Sequence, residues 1–138
     1  PDEIVEVPGI GLGTRRMVCF RDKGFCRYYL GVRDVAKPCE WIYFSTETLT
    51  ILKRYASEDI DRHSIRRYAT RHNLLTPKYM RKAAWRLMVQ VMSREVVRFI
   101  QSRFGELKVS EARYEDLLSE ADKYYPSYID YLRKNIYL

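Results

Sequence analysis

The sequence contains no long hydrophobic segment and few of the residues that usually build a metal site. No apolar run approaches the roughly 18 to 20 residues that a membrane-spanning helix requires, and no signal peptide is visible. The three cysteines, Cys19, Cys26 and Cys39, form no C-x-x-C pair, and the only histidines are His63 and His72. These absences argue against a transmembrane protein and against a structural zinc site.

The cysteines permit two interpretations. Reduced thiols are typical of an intracellular protein, and this interpretation is favoured. The alternative is a disulfide between Cys19 and Cys26, because the two residues face each other across a predicted hairpin.

Composition indicates a basic globular domain. The chain has 138 residues, 46% of them hydrophobic, and a formal net charge of +7. This length and hydrophobic content predict one domain with a real core. The excess of positive charge favours an anionic partner, with nucleic acid ahead of an anionic membrane surface. We find no internal repeat and no low-complexity segment.

The first third of the chain has the pattern of a small antiparallel sheet. Two runs rich in β-favouring residues, Met17–Phe20 and Phe25–Leu30, flank Arg21-Asp22-Lys23-Gly24, which is a turn signal. A third strand is predicted at Trp41–Phe44. Before the hairpin, residues 1–15 are rich in glycine and are expected to form a loop, with 2–7 as the frayed end of an upstream helix.

From Ser45 onward the hydrophobic spacing is helical. The predicted inward-facing residues lie on successive helices: Leu49, Leu52 and Tyr55; Ile65, Tyr68 and Ala69; Met80, Ala84, Leu87, Met88 and Val91; Val96, Val97 and Ile100; Leu117, Leu118 and Ala121; Ile129, Leu132 and Ile136. Ser93 is predicted to cap the fourth helix, Tyr114 to open the next, and Pro126 to start the last. The prediction is therefore a mainly helical α+β fold, in which a hairpin plus a third strand packs on about five to six helices.

Most of the candidate catalytic residues lie between positions 76 and 114. Thr76 is a candidate N-cap and Pro77 stands at the first helical position, so the free amides at this helix start favour an anion. Lys78 and Arg81 lie three residues apart on one face of the same turn. Arg103 and Tyr114 follow. The purely structural alternatives are a solvated first turn for the pair, a helix cap for Arg103, and an ordinary packed aromatic for Tyr114.

This order of residues resembles the catalytic domain of tyrosine recombinases, most closely the integrases of archaeal viruses and plasmids. The resemblance extends from about Arg16 to the C-terminus. It implies a Lys-x-x-Arg pair at Lys78 and Arg81, a site residue at Arg103 and a nucleophile at Tyr114. It also implies a general acid at Lys23 on the hairpin, with Arg21 as the rival.

The implied reaction is phosphoryl transfer through a covalent phosphotyrosine, without metal or nucleotide cofactor. Fixed arginine donors suit its transition state, because the guanidinium is always charged and binds phosphate oxygens bidentately. The phenol must lose its proton, and we expect Arg81 and Arg113 to lower its pKa. The remaining candidate DNA contacts are Arg62, Arg66, Arg67 and Arg71. The alternative interpretation of these four residues is a solvent-exposed helix face without a ligand.

The family also uses an earlier arginine, usually in Arg-x-x-Glu, and no such motif precedes Met17. Because the chain begins with Pro1, we expect residues 1–138 to be a single C-terminal catalytic domain, without its upstream helices and N-terminal DNA-binding part. Such a fragment is expected to bind DNA yet cleave poorly. The gap from Arg103 to Tyr114 is also one residue longer than is usual in the family.

The resemblance implies a recombinase that integrates a viral or plasmid genome into the chromosome of an archaeal host, in the cytoplasm. Its partners would be double-stranded DNA and further copies of itself in a tetramer, with no membrane and no small-molecule substrate. The alternatives are a non-catalytic basic DNA-binding regulator and a type IB topoisomerase-like nicking-closing enzyme. The tyrosines Tyr124, Tyr125, Tyr128 and Tyr131 are predicted either to pack on their own core or to dock into a neighbouring protomer.

Overall fold

The computed structural model describes residues 2–9, 13–32, 39–55, 58–103 and 110–136, and within them it combines one antiparallel sheet with five α-helices. The strands are β1 (Asp2–Gly9), β2 (Gly13–Phe20), β3 (Phe25–Val32) and β4 (Cys39–Ser45). The helices are α1 (Thr46–Tyr55), α2 (Arg62–Arg71), α3 (Pro77–Met88), α4 (Arg94–Ile100) and α5 (Glu111–Asn135). The predicted α+β fold, mainly helical with a small antiparallel sheet, is confirmed.

The sheet is a meander in the order β1-β2-β3-β4. The predicted hairpin is β2 and β3, joined by a single 3₁₀ turn at Arg21–Lys23. Gly24 ends this turn with φ of +78°, and its N–H donates to the Phe20 carbonyl at 2.9 Å. A left-handed backbone angle at this point suits glycine, which has no Cβ to clash. The predicted third strand is β4.

Strand β1 corrects the expectation for the start of the chain. Residues 2–9 do not continue a helix. They pair with β2 along their whole length, from Asp2 opposite Phe20 to Gly9 opposite Gly13. Three β-branched residues, Ile4, Val5 and Val7, favour this extended state. Pro8 is tolerated because β1 lies at the edge of the sheet, where one side of the strand needs no ladder partner.

The two faces of the sheet enter different clusters because successive strand residues point in opposite directions. Phe25 faces the main core, which contains Val96 and Val97 of α4 and Leu117 and Ile129 of α5. The opposite face holds a smaller cluster, which is formed by Met17, Cys19, Cys26 and Phe44 with Leu49 of α1 packed against it.

Cys19 and Cys26 lie directly opposite each other on β2 and β3. Both are buried and both carry free thiols in the structure. Cys39 begins β4, but its side chain lies outside the described part of the structure.

The predicted inward stripes of α1 and α2 are largely exposed, which corrects the expected core. On α1, Leu52 and Tyr55 are exposed and only Leu49 packs on the sheet. On α2, Ile65 and Tyr68 are exposed and Ala69 alone is buried. Met80 in the first turn of α3 is exposed as well, whereas Met88 in its last turn is buried. Helical spacing creates an apolar face, but burial requires a second element to cover it.

Helix α5 merges two predicted helices into one. It runs for 25 residues and contains Pro126 in its interior. A proline in a helix removes one backbone hydrogen bond and costs about 3 kcal/mol. Leu117 and Ile129, on either side of it, are buried in the same core, so packing offsets this cost. Of the tyrosines near the C-terminus, Tyr125 and Tyr128 are buried in that core, which is the first of their two predicted roles.

Helix α5 lies along β4, and three contacts fix its direction. Tyr114 near its start contacts Trp41. Asp122 in its middle accepts a 2.9 Å hydrogen bond from the Tyr43 hydroxyl. Arg133 near its end donates to the Glu47 carboxylate at 2.6 Å. The chain therefore runs in the same direction along α5 as it does along β4 and into α1.

Candidate functional site

Tyr114 lies in the first turn of α5, beside α4. The helix is capped by Ser110, whose hydroxyl accepts the Arg113 N–H at 3.3 Å. The Tyr114 ring packs edge-on against Phe99 of α4, with the ring centroids 5.5 Å apart. The ring is therefore half-buried at the margin of the main core, and its hydroxyl points toward the start of β4.

Two neighbouring residues of β4 act on the Tyr114 hydroxyl. The indole Nε1 of Trp41 donates a hydrogen bond to it at 2.7 Å. Burial and then the Glu40 carboxylate raise the pKa of Tyr114 above its ordinary value, and the Trp41 hydrogen bond only partly opposes this rise. The expectation that Arg81 and Arg113 lower this pKa is wrong for this arrangement, because burial and Glu40 raise it.

Lys78 and Arg81 stand at the start of α3, as predicted. Thr76 occupies the N-cap position with an extended backbone, and Pro77 follows at the first helical position. Lys78 and Arg81 are exposed. The Arg81 guanidinium donates to the backbone carbonyl of Gln101, whose side-chain amide donates back to the Arg81 carbonyl at 3.0 Å. This reciprocal contact ties the start of α3 to the end of α4.

Arg103 lies on the same side of the molecule as Arg81. Its guanidinium stands over the ring of Trp85, 5.4 Å from the centroid, and Trp85 is one helical turn after Arg81. Its N–H donates to the Arg98 carbonyl at 2.8 Å, and the preceding Ser102 has φ of +58°. The left-handed residue turns the chain away from α4 and carries Arg103 toward α3.

Arg113 faces carboxylates. It donates to both oxygens of Glu95 and lies 3.9 Å from Glu120. The Glu95 hydrogen bond raises its pKa above the ordinary value. A DNA phosphate would have to compete with these two acids for Arg113.

The hairpin tip that carries Arg21 and Lys23 adjoins the far end of α5 from Tyr114, while the Lys23 amine lies 5.5 Å from the centre of the Phe20 ring and its charge acts on Asp122 in the middle of the helix. A Cβ at Gly24 would stand 3.1 Å from the guanidinium of Arg133, so the hairpin tip adjoins the last turns of that helix. With a rise of about 1.5 Å per residue, Arg133 lies about 28 Å from Tyr114 along the helix axis. The structure therefore brings Arg81, Arg103 and Tyr114 around the C-terminal end of α4, whereas the hairpin tip lies beside the last turns of α5.

The predicted DNA-contacting arginines of α2 are all exposed, and they are Arg62, Arg66, Arg67 and Arg71. Their exposure leaves the positive charge accessible to a polyanion. The structure is compatible both with a phosphate contact and with a solvated face.

Glu40 and Trp41 are the functional neighbours that the sequence did not reveal. Glu40 is only 8% exposed, which is unusual for a carboxylate. The signal available was an acidic residue at the start of an aromatic-rich strand, Glu40-Trp41-Ile42-Tyr43-Phe44. That signal is weak, because Tyr114, which binds Trp41, lies 73 residues later in the chain.

In the part of the chain that the structure describes, no group of three or more His, Cys, Asp or Glu side chains is arranged to hold a metal ion. Within the same residues, no helix has the length and apolar character needed to cross a membrane.

Comparison with protein families identifies a relationship. The model of a protein family described as archaeal phage integrase matches residues 13–131. No curated protein matches the sequence and no solved structure matches the chain. The matched segment contains β2 to β4, the five α-helices up to Tyr131, and every residue of the candidate site.

Proposed function

Because the chain belongs to the archaeal phage integrase family, we propose that it is a tyrosine recombinase domain that cuts and rejoins DNA through a 3′-phosphotyrosyl intermediate. The reaction would integrate a viral or plasmid genome into a host chromosome. Double-stranded DNA carrying an attachment site is the substrate, and the active assembly is a homotetramer on that DNA in the cytoplasm of an archaeal host. No cofactor enters this proposal.

The observation that carries the proposal is the arrangement around α4. Tyr114 packs on Phe99, while Gln101, two residues further on, binds Arg81. Arg103 then reaches Trp85, in the turn of α3 that follows Arg81. One short helix thus separates a tyrosine from two exposed guanidinium groups, and Lys78 lies in the same turn as Arg81. A scissile phosphate bound by the cations would lie beside α4 and within the neighbourhood of Tyr114.

The chemistry assigns a role to each group. The Tyr114 oxygen forms a bond to phosphorus while the bond from phosphorus to the 5′-oxygen breaks. The phenol loses its proton, and the departing 5′-oxygen gains one. Arg81 and Arg103 stabilise the charge on the non-bridging oxygens, with Lys78 adding a third cation. In the return step a 5′-hydroxyl attacks the phosphotyrosine and releases Tyr114.

Lys23 is the general acid in the family-based assignment, and this role remains a proposal. Its position beside the last turns of α5 requires either a change in the hairpin or another proton donor. The DNA contacts proposed for Arg21, Arg62, Arg66, Arg67, Arg71 and Arg113 are likewise inferences from charge.

A covalent trap tests the reaction. A pool of nicked duplexes with randomised centres is incubated with the chain, so that the short fragment carrying the released 5′-hydroxyl diffuses away after cleavage and the adduct accumulates. Guanidinium ion is added to half of the samples, because the family uses an arginine upstream of the hairpin that we do not find here. We expect a protein–DNA adduct that survives denaturation in the wild type and is absent in Tyr114→Phe.

The controls separate the alternatives. An adduct in both proteins would mean that another tyrosine is the nucleophile. DNA binding without adduct, with and without guanidinium, would favour the regulator. Relaxation of a supercoiled plasmid of arbitrary sequence, together with an adduct at no preferred sequence in the pool, would favour the topoisomerase-like enzyme.

A further inference from the structure

Arg27 is a charged residue on the face of the sheet that carries the main core. Successive residues of a strand point to opposite faces, so Arg27 lies on the same face of β3 as Phe25, which is fully buried. The Arg27 side chain is only 13% exposed. A buried charge is costly unless it is paired, and the guanidinium of arginine stays charged. The position of Arg27 therefore depends on the groups that contact it.

Arg27 contacts one carboxylate and two aromatic rings. Its Nε forms an ion pair with Oδ1 of Asp122 on α5, at 3.2 Å. The same carboxylate oxygen accepts a hydrogen bond from the Tyr43 hydroxyl at 2.9 Å, so Asp122 is held from two strands. The guanidinium carbon of Arg27 stands 4.2 Å from the centroid of the Trp41 ring and 5.7 Å from that of Phe20. A cation over an indole face is attracted to it, so Arg27 holds the ring as well as the acid.

The Trp41 ring connects Arg27 to Tyr114. Tyr29, which lies opposite Trp41 in the sheet, also contacts the ring, with the centroids 5.0 Å apart. The indole has one N–H in the plane of its ring, so the orientation of the ring decides where this N–H points. Here Nε1 of Trp41 donates to the Tyr114 hydroxyl at 2.7 Å. The contacts thus run without interruption from Asp122 in the middle of α5, through Arg27 and Trp41, to the first turn of the same helix.

We propose that Arg27 is a positioning residue for Tyr114: its guanidinium fixes the Trp41 ring, and the N–H of that ring holds the phenol oxygen in place for attack. This inference rests on the proposed role of Tyr114 as the nucleophile. The donor suits the chemistry as well as the geometry. A hydrogen bond to the phenol oxygen becomes stronger as negative charge develops on it, and it leaves the proton of the phenol available to a base.

The test removes the buried ion pair as a unit, in the variant Arg27→Met/Asp122→Asn. Deleting one partner alone would leave the other charge buried and unpaired, which would destabilise the fold for an unrelated reason. Methionine keeps an apolar stem, asparagine keeps an acceptor for the Tyr43 hydroxyl, and the net charge does not change. The matched control is Arg133→Met/Glu47→Gln. This exposed pair, joined at 2.6 Å, also ties α5 to the rest of the fold, but at the far end of the helix.

The first measurement follows the indole N–H of Trp41 by NMR. The chain has two tryptophans, so the resonance that is absent from Trp41→Phe identifies Trp41, and Trp85 is an internal reference. We expect hydrogen exchange at the Trp41 N–H to become up to about tenfold faster in Arg27→Met/Asp122→Asn, which corresponds to one weakened hydrogen bond. The control pair should leave it unchanged. Circular dichroism shows whether each variant is folded, and an unchanged Trp41 exchange rate in the folded test variant would overturn the proposal.

The adduct assay at saturating DNA then gives the functional result. We expect adduct formation to slow by about ten- to hundredfold in Arg27→Met/Asp122→Asn, as for a small misplacement of a reacting group. The Kd for DNA should not change, because the Arg27 side chain is buried. In a Trp41→Phe background the same two changes should add little, because Arg27 acts through the ring.

The remaining outcomes separate this inference from the proposed function. An unchanged rate of adduct formation, or an equal decrease with and without Trp41, would overturn the positioning role of Arg27. Faster exchange at the Trp41 N–H, with no adduct from any protein including the wild type, would support the hold of Arg27 on Trp41 and would contradict the proposed function instead.

Discussion

Trp41 donates a 2.7 Å hydrogen bond to the hydroxyl of Tyr114 across 73 positions of sequence. The contact joins β4 to the first turn of α5, so it fixes the start of the helix that carries the proposed nucleophile. The ring of Trp41 is held in turn by the Arg27 guanidinium, 4.2 Å from its centroid, and by Tyr29 at 5.0 Å.

Trp41→Phe is expected to raise the pKa of Tyr114. The Trp41 hydrogen bond lowers this pKa, so its removal should raise the midpoint further. The free energy of unfolding should fall by about 1 kcal/mol because one hydrogen bond is removed. Tyrosine ¹³C titration and urea denaturation measure the two effects. A midpoint that falls would contradict the assigned donor.

Arg81→Lys is expected to damage the reaction more than DNA binding. The lysine keeps the charge but cannot bind Gln101 and a phosphate with one planar group. Removing one preorganised donor to a transition state typically costs about 10² to 10³ in rate, and we expect a decrease of this order in adduct formation. Arg86→Lys, at an exposed position in the last turn of α3, is the control. Equal effects of the two substitutions would argue against a site role for Arg81.

The arginines of α2 are expected to contribute to binding through the phosphate backbone alone. Replacing Arg66 and Arg67 by alanine should reduce the slope of log K against log salt by about 0.9 for each phosphate that is no longer neutralised. The decrease in affinity should be similar on DNA of any sequence, as fluorescence anisotropy over a salt series would show. Lys134→Ala, exposed near the end of α5, serves as the comparison. An unchanged slope in the double variant would assign these arginines to a solvated face.

Lys23→Ala is expected to retain cleavage if the hairpin keeps its position beside Arg133, because its tip then lies far from Tyr114. The decisive comparison uses DNA with sulfur in place of the 5′-bridging oxygen, since a thiolate leaves without a proton. If Lys23 is the general acid, the variant should fail on ordinary DNA and recover on the sulfur substrate. That pattern would support the family-based role and require the hairpin to move.

Alkaline pH is expected to destabilise the fold through Cys26. Burial first, and then Cys19, raise the pKa of the Cys26 thiol from 9.0 to about 12. Below pH 9.0 the thiol is protonated in both states, so its contribution is fully present. Between pH 9.0 and about 12 the unfolded chain loses this proton first, and stability falls by up to about 1.36 kcal/mol per pH unit.

Urea denaturation at successive pH values measures this decrease. Cys26→Ala should be less stable than the wild type near neutral pH because it leaves a small cavity, and its stability should decline less steeply above pH 9.0. Parallel curves for the two proteins would show that Cys26 does not titrate differently in the two states.

The sequence alone determined the features that depend on neighbouring residues. The hairpin follows from Arg21-Asp22-Lys23-Gly24, since glycine at the end of the turn accepts a left-handed backbone. The start of α3 follows from Thr76 and Pro77, and that of α4 from Ser93, whose hydroxyl accepts the Val96 N–H at 3.3 Å. The order of Lys78, Arg81, Arg103 and Tyr114 also indicated the family.

Only the tertiary structure decided which groups meet. The apolar stripes of α1 and α4 are both helical in spacing, yet Leu52 is exposed and Val97 is buried because α5 covers α4. Pro126 marks a helix start in sequence, but core packing on both sides carries α5 through it. Trp41 meets Tyr114, and the hairpin tip meets Arg133, because α5 runs along β4 in one direction. Such contacts join residues far apart in the chain, and their energies depend on burial and distance, which local sequence patterns do not specify.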